Sequence, residues 1–278
     1  MKWPAKKKCA VCLTFDLDAE ISWRNILRRH GIDRDNPVVL SQGTYGPEAG
    51  VPRILRMLEK NNIKAGFFVP GEVAERHPQT VIDIHNSGHE IGHHGYSHTN
   101  PASCSLEEEM EEFELGFTIL AEIISDRPQG YRAPAADMSE NTLSLLADNN
   151  LIYDSTMMGQ DLPYIIEVDD RRIVELPIRW LLDDWVHFGF NYFPPLEYQS
   201  GVSSSRRVFE MWLDEFEAVY DEGLYYMLVM HPQIMGVPSR TAMLDKLITE
   251  MKCKGDVWFA TPLEITEHCL QTLEVEAK

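Results

Sequence analysis

The chain has 278 residues, 25 of them basic and 44 acidic, giving a net charge of −19 with histidine neutral. Such a field repels nucleic acid and anionic membrane surfaces, so partners should be neutral or cationic. A hydrophobic content of 44% with 10% aromatics excludes a disordered chain and supports a sizeable core.

Met1 to Lys8 is basic, but the apolar run behind it is broken at Asp16, too soon for the core of a signal peptide. No stretch approaches the roughly 20 apolar residues of a membrane span. The chain therefore reads as cytoplasmic, and its five cysteines as reduced thiols. Cys9 and Cys12 form a CxxC, yet inside a strand-like run and not at a strand-to-helix turn, so a structural pair is expected.

Strand-like and helix-like runs then alternate: a strand at 10–15, helix at 51–61, strand at 65–69, helix at 72–87, strand at 90–93, helix at 105–125. The pattern continues with strands at 130–132, 153, 173–180, 225–230 and 257–260, and helices at 139–149, 205–222 and 240–252. The helix at 105–125 carries much of the acidic charge on a solvated face. Alternation implies a parallel sheet. With no repeat and no linker, residues 1–278 form one α/β domain, and seven or eight strands favour a closed, irregular barrel.

Two connections are unusually long. Residues 19–49, with Trp23, Arg28, Arg29, Pro37 and Gly43 to Gly46, are expected to be a functional loop. Residues 181–200, with Trp185, Phe188, Phe190, Tyr192, Phe193 and Tyr198, suit a pocket wall or a subunit interface, a locally packed loop having equal weight, and exposed aromatic loops point to a homo-oligomer.

Along the first strand, alternation puts Cys12, Thr14, Asp16 and Asp18 on one face and Val11, Leu13, Phe15 and Leu17 on the other. Two carboxylates at the barrel mouth repel each other unless a cation lies beside them. Gly88-His89-Glu90-Ile91-Gly92-His93-His94-Gly95-Tyr96-Ser97-His98 supplies imidazoles. His94 and His98, four apart with Gly92 and Gly95 permitting a turn, can aim at one ion, and an aspartate completes a His2Asp set with open positions. His89 and His93 compete for that role, but adjacent side chains diverge on extended backbone, so His93 should face the helix layer. Zinc is the default divalent metal for such a site, with cobalt, nickel or iron as alternatives. Arg132, Asp184 and His231 stand at the ends of later strands, where barrel sites collect.

These residues resemble the polysaccharide deacetylase family, the NodB-like carbohydrate esterases. Thr-Phe-Asp-x-Asp, Gly-His-Glu-Ile-Gly-x-His-x-x-x-His, Arg-x-Pro, Asp-Trp and a late hydrophobic-x-His occur in the family's order over most of the chain. Tyr153-Asp154-Ser155, Leu182-Asp183-Asp184-Trp185 and His231-Pro232-Gln233 are similar to the branch containing Helicobacter-type peptidoglycan deacetylase and cyclic imide hydrolases.

The resemblance implies a distorted (β/α) barrel with the metal on Asp18, His94 and His98. It further implies Asp16 as general base, Arg132 holding that base, and His231 as general acid tethered by Asp184. Ala135 follows Arg-x-Pro where polymer-acting members carry Tyr; its N–H can still serve the oxyanion, while the sugar-binding wall differs. N-deacetylation of an amino sugar or peptidoglycan-like saccharide is the expected reaction, with hydrolysis of a cyclic imide or other small ring amide as the rival. An Fe(II) oxygenase would leave Asp16, Arg132 and His231 idle. A silent binding protein should have lost its base or acid, and neither is lost.

Overall fold

Residues 9–16 carry the strand on which the site is built. The computed structural model describes residues 1–196, 199 and 201–276. Its strands, in chain order, are β1 (Cys9–Asp16), β2 (Gly66–Val69), β3 (Glu90–His93), β4 (Gly130–Tyr131), β5 (Tyr153–Asp154), β6 (Tyr164–Val168), β7 (Arg171–Glu175), β8 (Tyr225–Met230) and β9 (Val257–Phe259). They join in the order β6-β7-β5-β4-β3-β2-β1-β8, with β9 also beside β1.

Every pairing is parallel except the β6–β7 hairpin. The chain leaving β7 makes one parallel bridge, Asp183 to Val229 of β8. The two ends of the parallel run thus meet at a point and not along a ladder, which is the distortion of this α/β architecture.

β1 is buried throughout, as a strand covered on both faces must be. Val11, Leu13, Phe15 and, just past the strand, Leu17 enter the largest core, beneath the helices, whereas Cys12 enters a second one. The expected alternation is observed. Both thiols of the CxxC are buried and free, and burial pushes Cys9 up to about 12 and Cys12 well above its ordinary value, which leaves them unreactive.

Four expectations need correction. The stretch 19–49 is not a loop: it folds into helices Ala19–Arg29 and Pro37–Tyr45 and a π turn, Gly46–Gly50. Trp23, Leu27 and Val39 form a small core of their own, and Asn36 caps the second helix by accepting from the N–H groups of Val38 and Val39. The expected helix at 72–87 is two, Gly71–Arg76 and Pro78–Asn86, because His77 precedes a proline and leaves the helical region.

Among the described residues nine strands are present where seven or eight were expected. The extra one, β6, pairs with β7 through a turn whose Asp169 has φ 52°, a left-handed position without the glycine that would have announced it. The C-terminal helix Pro262–Glu276 was also not expected. In the aromatic segment, Asp184–Phe188 is a short helix with Phe188 buried, while Tyr192 is 88% and Phe193 65% exposed. Tyr198 lies outside the described residues. No described helix is long and apolar enough to cross a membrane.

Candidate active site

Asp16 ends β1, and Asp18 immediately precedes the helix Ala19–Arg29. Opposite them, β3 delivers His93, and the chain turns through Gly95, at φ 68°, to His98, at φ 57°. Gly95 takes that left-handed angle without steric cost. Gly92, also expected to serve the turn, instead lies within β3 against Phe68.

The turn is held from three sides. The Glu112 carboxylate accepts from the N–H groups of Tyr96 (3.2 Å) and Ser97 (2.7 Å) and from Ser97 Oγ (2.6 Å). Asn25 Nδ2 donates to the carbonyls of Ser97 and His98. Gly116 permits the helix Leu106–Ile124 to approach, since a Cβ there would stand 2.4 Å from the Gly95 carbonyl oxygen. Neither Glu112 nor Asn25 carries a motif signal, which is why sequence reading missed both.

Asp18, His94 and His98 converge, with one potential donor atom from each lying within 4.8 Å of the others. His94 Nε2 is 3.6 Å from Asp18 Oδ1, and His98 Nε2 is 3.5 Å from Asp18 Oδ2. His94 directs Nδ1 at the Arg132 carbonyl, 2.6 Å away, which fixes the ring and leaves Nε2 turned toward Asp18. Burial lowers His94 to about 4, so the ring is neutral, as a ligand must be. Ser22 Oγ donates to Asp18 Oδ2, but Oδ1 is buried without a hydrogen-bond partner among the described residues. An orphaned buried carboxylate oxygen beside the neutral His94 ring, with His98 close to its sister oxygen, fits a divalent cation.

His93 is not part of this set. Its Nε2 donates to the Phe113 carbonyl and its Nδ1 accepts from Gly95 N–H, so it braces the turn against the helix layer. His89, buried and lowered to about 4 by desolvation, accepts from Ala65 N–H.

Arg132 is 1% exposed. Its guanidinium donates to Asp16 Oδ1 (2.7 Å), Thr14 Oγ1 (2.9 Å), Ser155 O (3.0 Å) and Ser155 Oγ (2.9 Å), and it lies 4.2 Å over the Phe68 ring. Burial alone would raise the Asp16 carboxyl. The nearby Arg132, together with His94 and His231, outweighs burial and holds it below its ordinary value.

On the far side, Asp184 Oδ1 is 2.7 Å from His231 Nδ1 and Oδ2 accepts from His231 N–H at 2.8 Å. This leaves Nε2 3.6 Å from Asp18 Oδ2. Burial disfavours the imidazolium, yet the Asp184 charge and hydrogen bond raise His231 to about 10. Asp183, Asp184 and His231 also cluster, but both Asp184 oxygens are already engaged, so they are not an open donor set. The Trp185 ring meets His231 edge-on at 5.2 Å and Trp23 at 5.4 Å, forming one wall.

The structure therefore gathers all seven residues singled out in the sequence around one buried carboxylate. Comparison with known proteins adds an independent line. A profile described as polysaccharide deacetylase matches residues 34–153, which include His94, His98 and Arg132 but not the other four. A peptidoglycan deacetylase of Helicobacter pylori is 28% identical over 95% of this chain and 97% of its own. A solved polysaccharide deacetylase of Mycobacterium smegmatis is 37% identical, with a TM-score of 0.92 over 98% of this chain and 93% of that one. A solved allantoinase is 25% identical, with a TM-score of 0.83 over 96% and 91% of the two chains.

Proposed function

The chain belongs to the polysaccharide deacetylase family, and from that premise we propose a metal-dependent hydrolase of non-peptide C–N bonds whose first substrates to test are N-acetylated amino sugars. The observation that carries the reading is the Asp18 carboxylate between His94 and His98, its Oδ1 unpartnered among the described residues, flanked by Asp16 with Arg132 on one side and His231 with Asp184 on the other.

Asp18, His94 and His98 would hold the ion, with zinc the best match to two imidazoles and a carboxylate, and cobalt, nickel or iron as alternatives. Bound there, a divalent ion supplies a Lewis acid that lowers the pKa of water and polarises the acyl oxygen. Asp16, kept ionised by Arg132, accepts the proton of the attacking water. His231 presents a protonated Nε2 to the departing amine nitrogen, and Asp184 keeps the ring in that tautomer. The Ala135 N–H is the backbone donor assigned to the developing oxyanion.

A second reading keeps the same machinery and changes the substrate to a small ring amide. The allantoinase likeness, an enzyme named for a small cyclic ureide, favours it. So does the aromatic wall beside His231, where Trp185 packs on the imidazole and Trp23 backs Trp185, a surface suited to a small ring. Assaying the metal-loaded protein against N-acetylglucosamine oligomers and succinimide-type rings separates the two. Turnover of neither, with metal bound, would sink both. The exposed Tyr192, Phe193 and Val186 are assigned to a contact between copies of the chain, which sedimentation tests directly.

A further inference from the structure

Asp154 at the end of β5 and Glu175 at the end of β7 are register partners in adjacent parallel strands, and both are fully buried. They accept from the same backbone donor: Thr156 N is 3.0 Å from Asp154 Oδ2 and 3.1 Å from Glu175 Oε1. Oxygens that share one N–H lie close together, and two negative charges there would repel each other out of reach of water. The guanidinium of Arg132 hydrogen-bonds to neither of them, because its bonds go to Asp16, Thr14, Ser155 and Met227; its charge reaches Asp154 only from a distance. Glu175 Oε2 is buried and accepts from no N–H or hydroxyl donor among the described residues.

We propose that Asp154 and Glu175 hold one proton between them and together position the turn that carries Arg132 and Ala135. The connection is made of direct bonds. Thr156 Oγ1 donates to Asp154 Oδ1 at 2.9 Å and accepts from Ala133 N–H at 3.0 Å. Met157 N–H donates to Glu175 Oε1 at 2.9 Å. Between them, Ser155 receives two of the Arg132 guanidinium bonds. Residues 155–157 are thus fixed by the carboxyl pair and in turn fix both the Arg132 side chain and the Ala133 backbone.

Two residues just past Ala133 need such support. Ala135 and Ala136 have φ of 62° and 50°. Side chains with a Cβ keep that left-handed conformation only where their surroundings over-determine it.

Burial pushes both carboxyls up, Glu175 well above the ordinary range, with Arg132 pulling Asp154 the other way. The other titratable groups facing the pair are the phenols of Tyr131 from β4, Tyr164 from β6 and Tyr225 from β8. None is a cation. Loss of the shared proton at alkaline pH would therefore place two charges, neither hydrogen-bonded to a cation, beneath the turn and loosen it. The catalytic consequence rests on the hydrolase reading above, whereas the shared proton does not.

The test is an NMR titration of the full-length, metal-loaded protein, with ¹³C-labelled carboxyls and ¹⁵N amides, from about pH 5 to about pH 10. One carboxyl of the pair should keep its proton at neutral pH, and the Ala133 and Ala135 amides should move with its alkaline midpoint. In Glu175→Gln, which holds a neutral group of the same shape, both movements should vanish. With any amide the wild type hydrolyses, the alkaline fall in kcat should move upward in Glu175→Gln while KM stays within about twofold; a purely packing role would leave that midpoint in place. Two ionised carboxyls at neutral pH, or alanine amides that ignore the titration, would overturn the proposal. A positive titration in a protein that hydrolyses no amide supports the shared proton and removes the hydrolase reading instead.

Discussion

Two pairs of buried carboxyls lie on the same sheet, and their surroundings set them opposite tasks. Asp16 and Asp18 face Arg132, His94, His98 and His231, so positive or metal-ready groups surround them. Asp154 and Glu175 face a threonine hydroxyl, backbone N–H groups and phenols. Burial disfavours the charged form of Asp16, Asp154 and Glu175 alike, but Arg132 with its neighbours holds Asp16 below its ordinary value while the other two stay raised. Under the proposed function, what suits a carboxylate pair to catalysis is its company and not its spacing.

The substitution that should disrupt this contrast most is Asp18→Ala. It removes the carboxylate between His94 and His98, so metal content by elemental analysis should fall to background and activity should drop by more than about 10⁴-fold. Metal retained at full stoichiometry would contradict the assigned ligand set.

Asp16→Asn is smaller and cleaner. Metal content should stay, kcat should fall by about 10²- to 10³-fold, and KM should change little. Because Arg132 then lacks its counter-charge, denaturant unfolding should show a loss of about 3 kcal/mol as well. An unchanged kcat would free Asp16 from the role of base.

Thr156→Val probes the other pair. It deletes the hydroxyl linking Asp154 to Ala133 while keeping the shape, so stability should drop by about 1–3 kcal/mol and kcat by about tenfold, with Thr156→Ser restoring both.

The smallest effect on the reaction is expected in the pH dependence of stability. Glu175 and Asp154 have folded-state values raised above their unfolded ones. Their contribution is therefore full below the unfolded carboxylate range and is lost as pH rises through the folded value. Thermal unfolding of the wild type should fall across that window more steeply than that of Glu175→Gln, by up to about 1.4 kcal/mol per pH unit. Parallel curves would mean that the pair holds no extra proton.

Much of the site was legible in the chain. Asp16 and Asp18 announce themselves by strand alternation, and His94 and His98 by spacing across glycine. The βα alternation located most strand ends within a residue or two, but it carried the strand at 173–180 five residues past Glu175, where β7 ends. Features that depend on a distant partner were illegible. Nothing near Glu112 or Asn25 says that they hold the turn of His98, and nothing near Ser155 says that it braces Arg132. The helices in 19–49 were missed because Trp23, Leu27 and Val39 form a small core of their own beside Trp185, a partner far off in sequence, although Ala19 and Ile21 reach the main core.

Element order, the alternating faces of β1 and the chemical types at each strand end were set by the amino-acid sequence, because these follow from local periodicity and residue chemistry. Folding in three dimensions determined which oxygen of Asp18 is left without a partner among the described residues, that the Phe113 carbonyl receives His93 Nε2, and that Asp154 meets Glu175. Those outcomes depend on which groups are brought within hydrogen-bond reach after water has been excluded, and only the folded chain sets that.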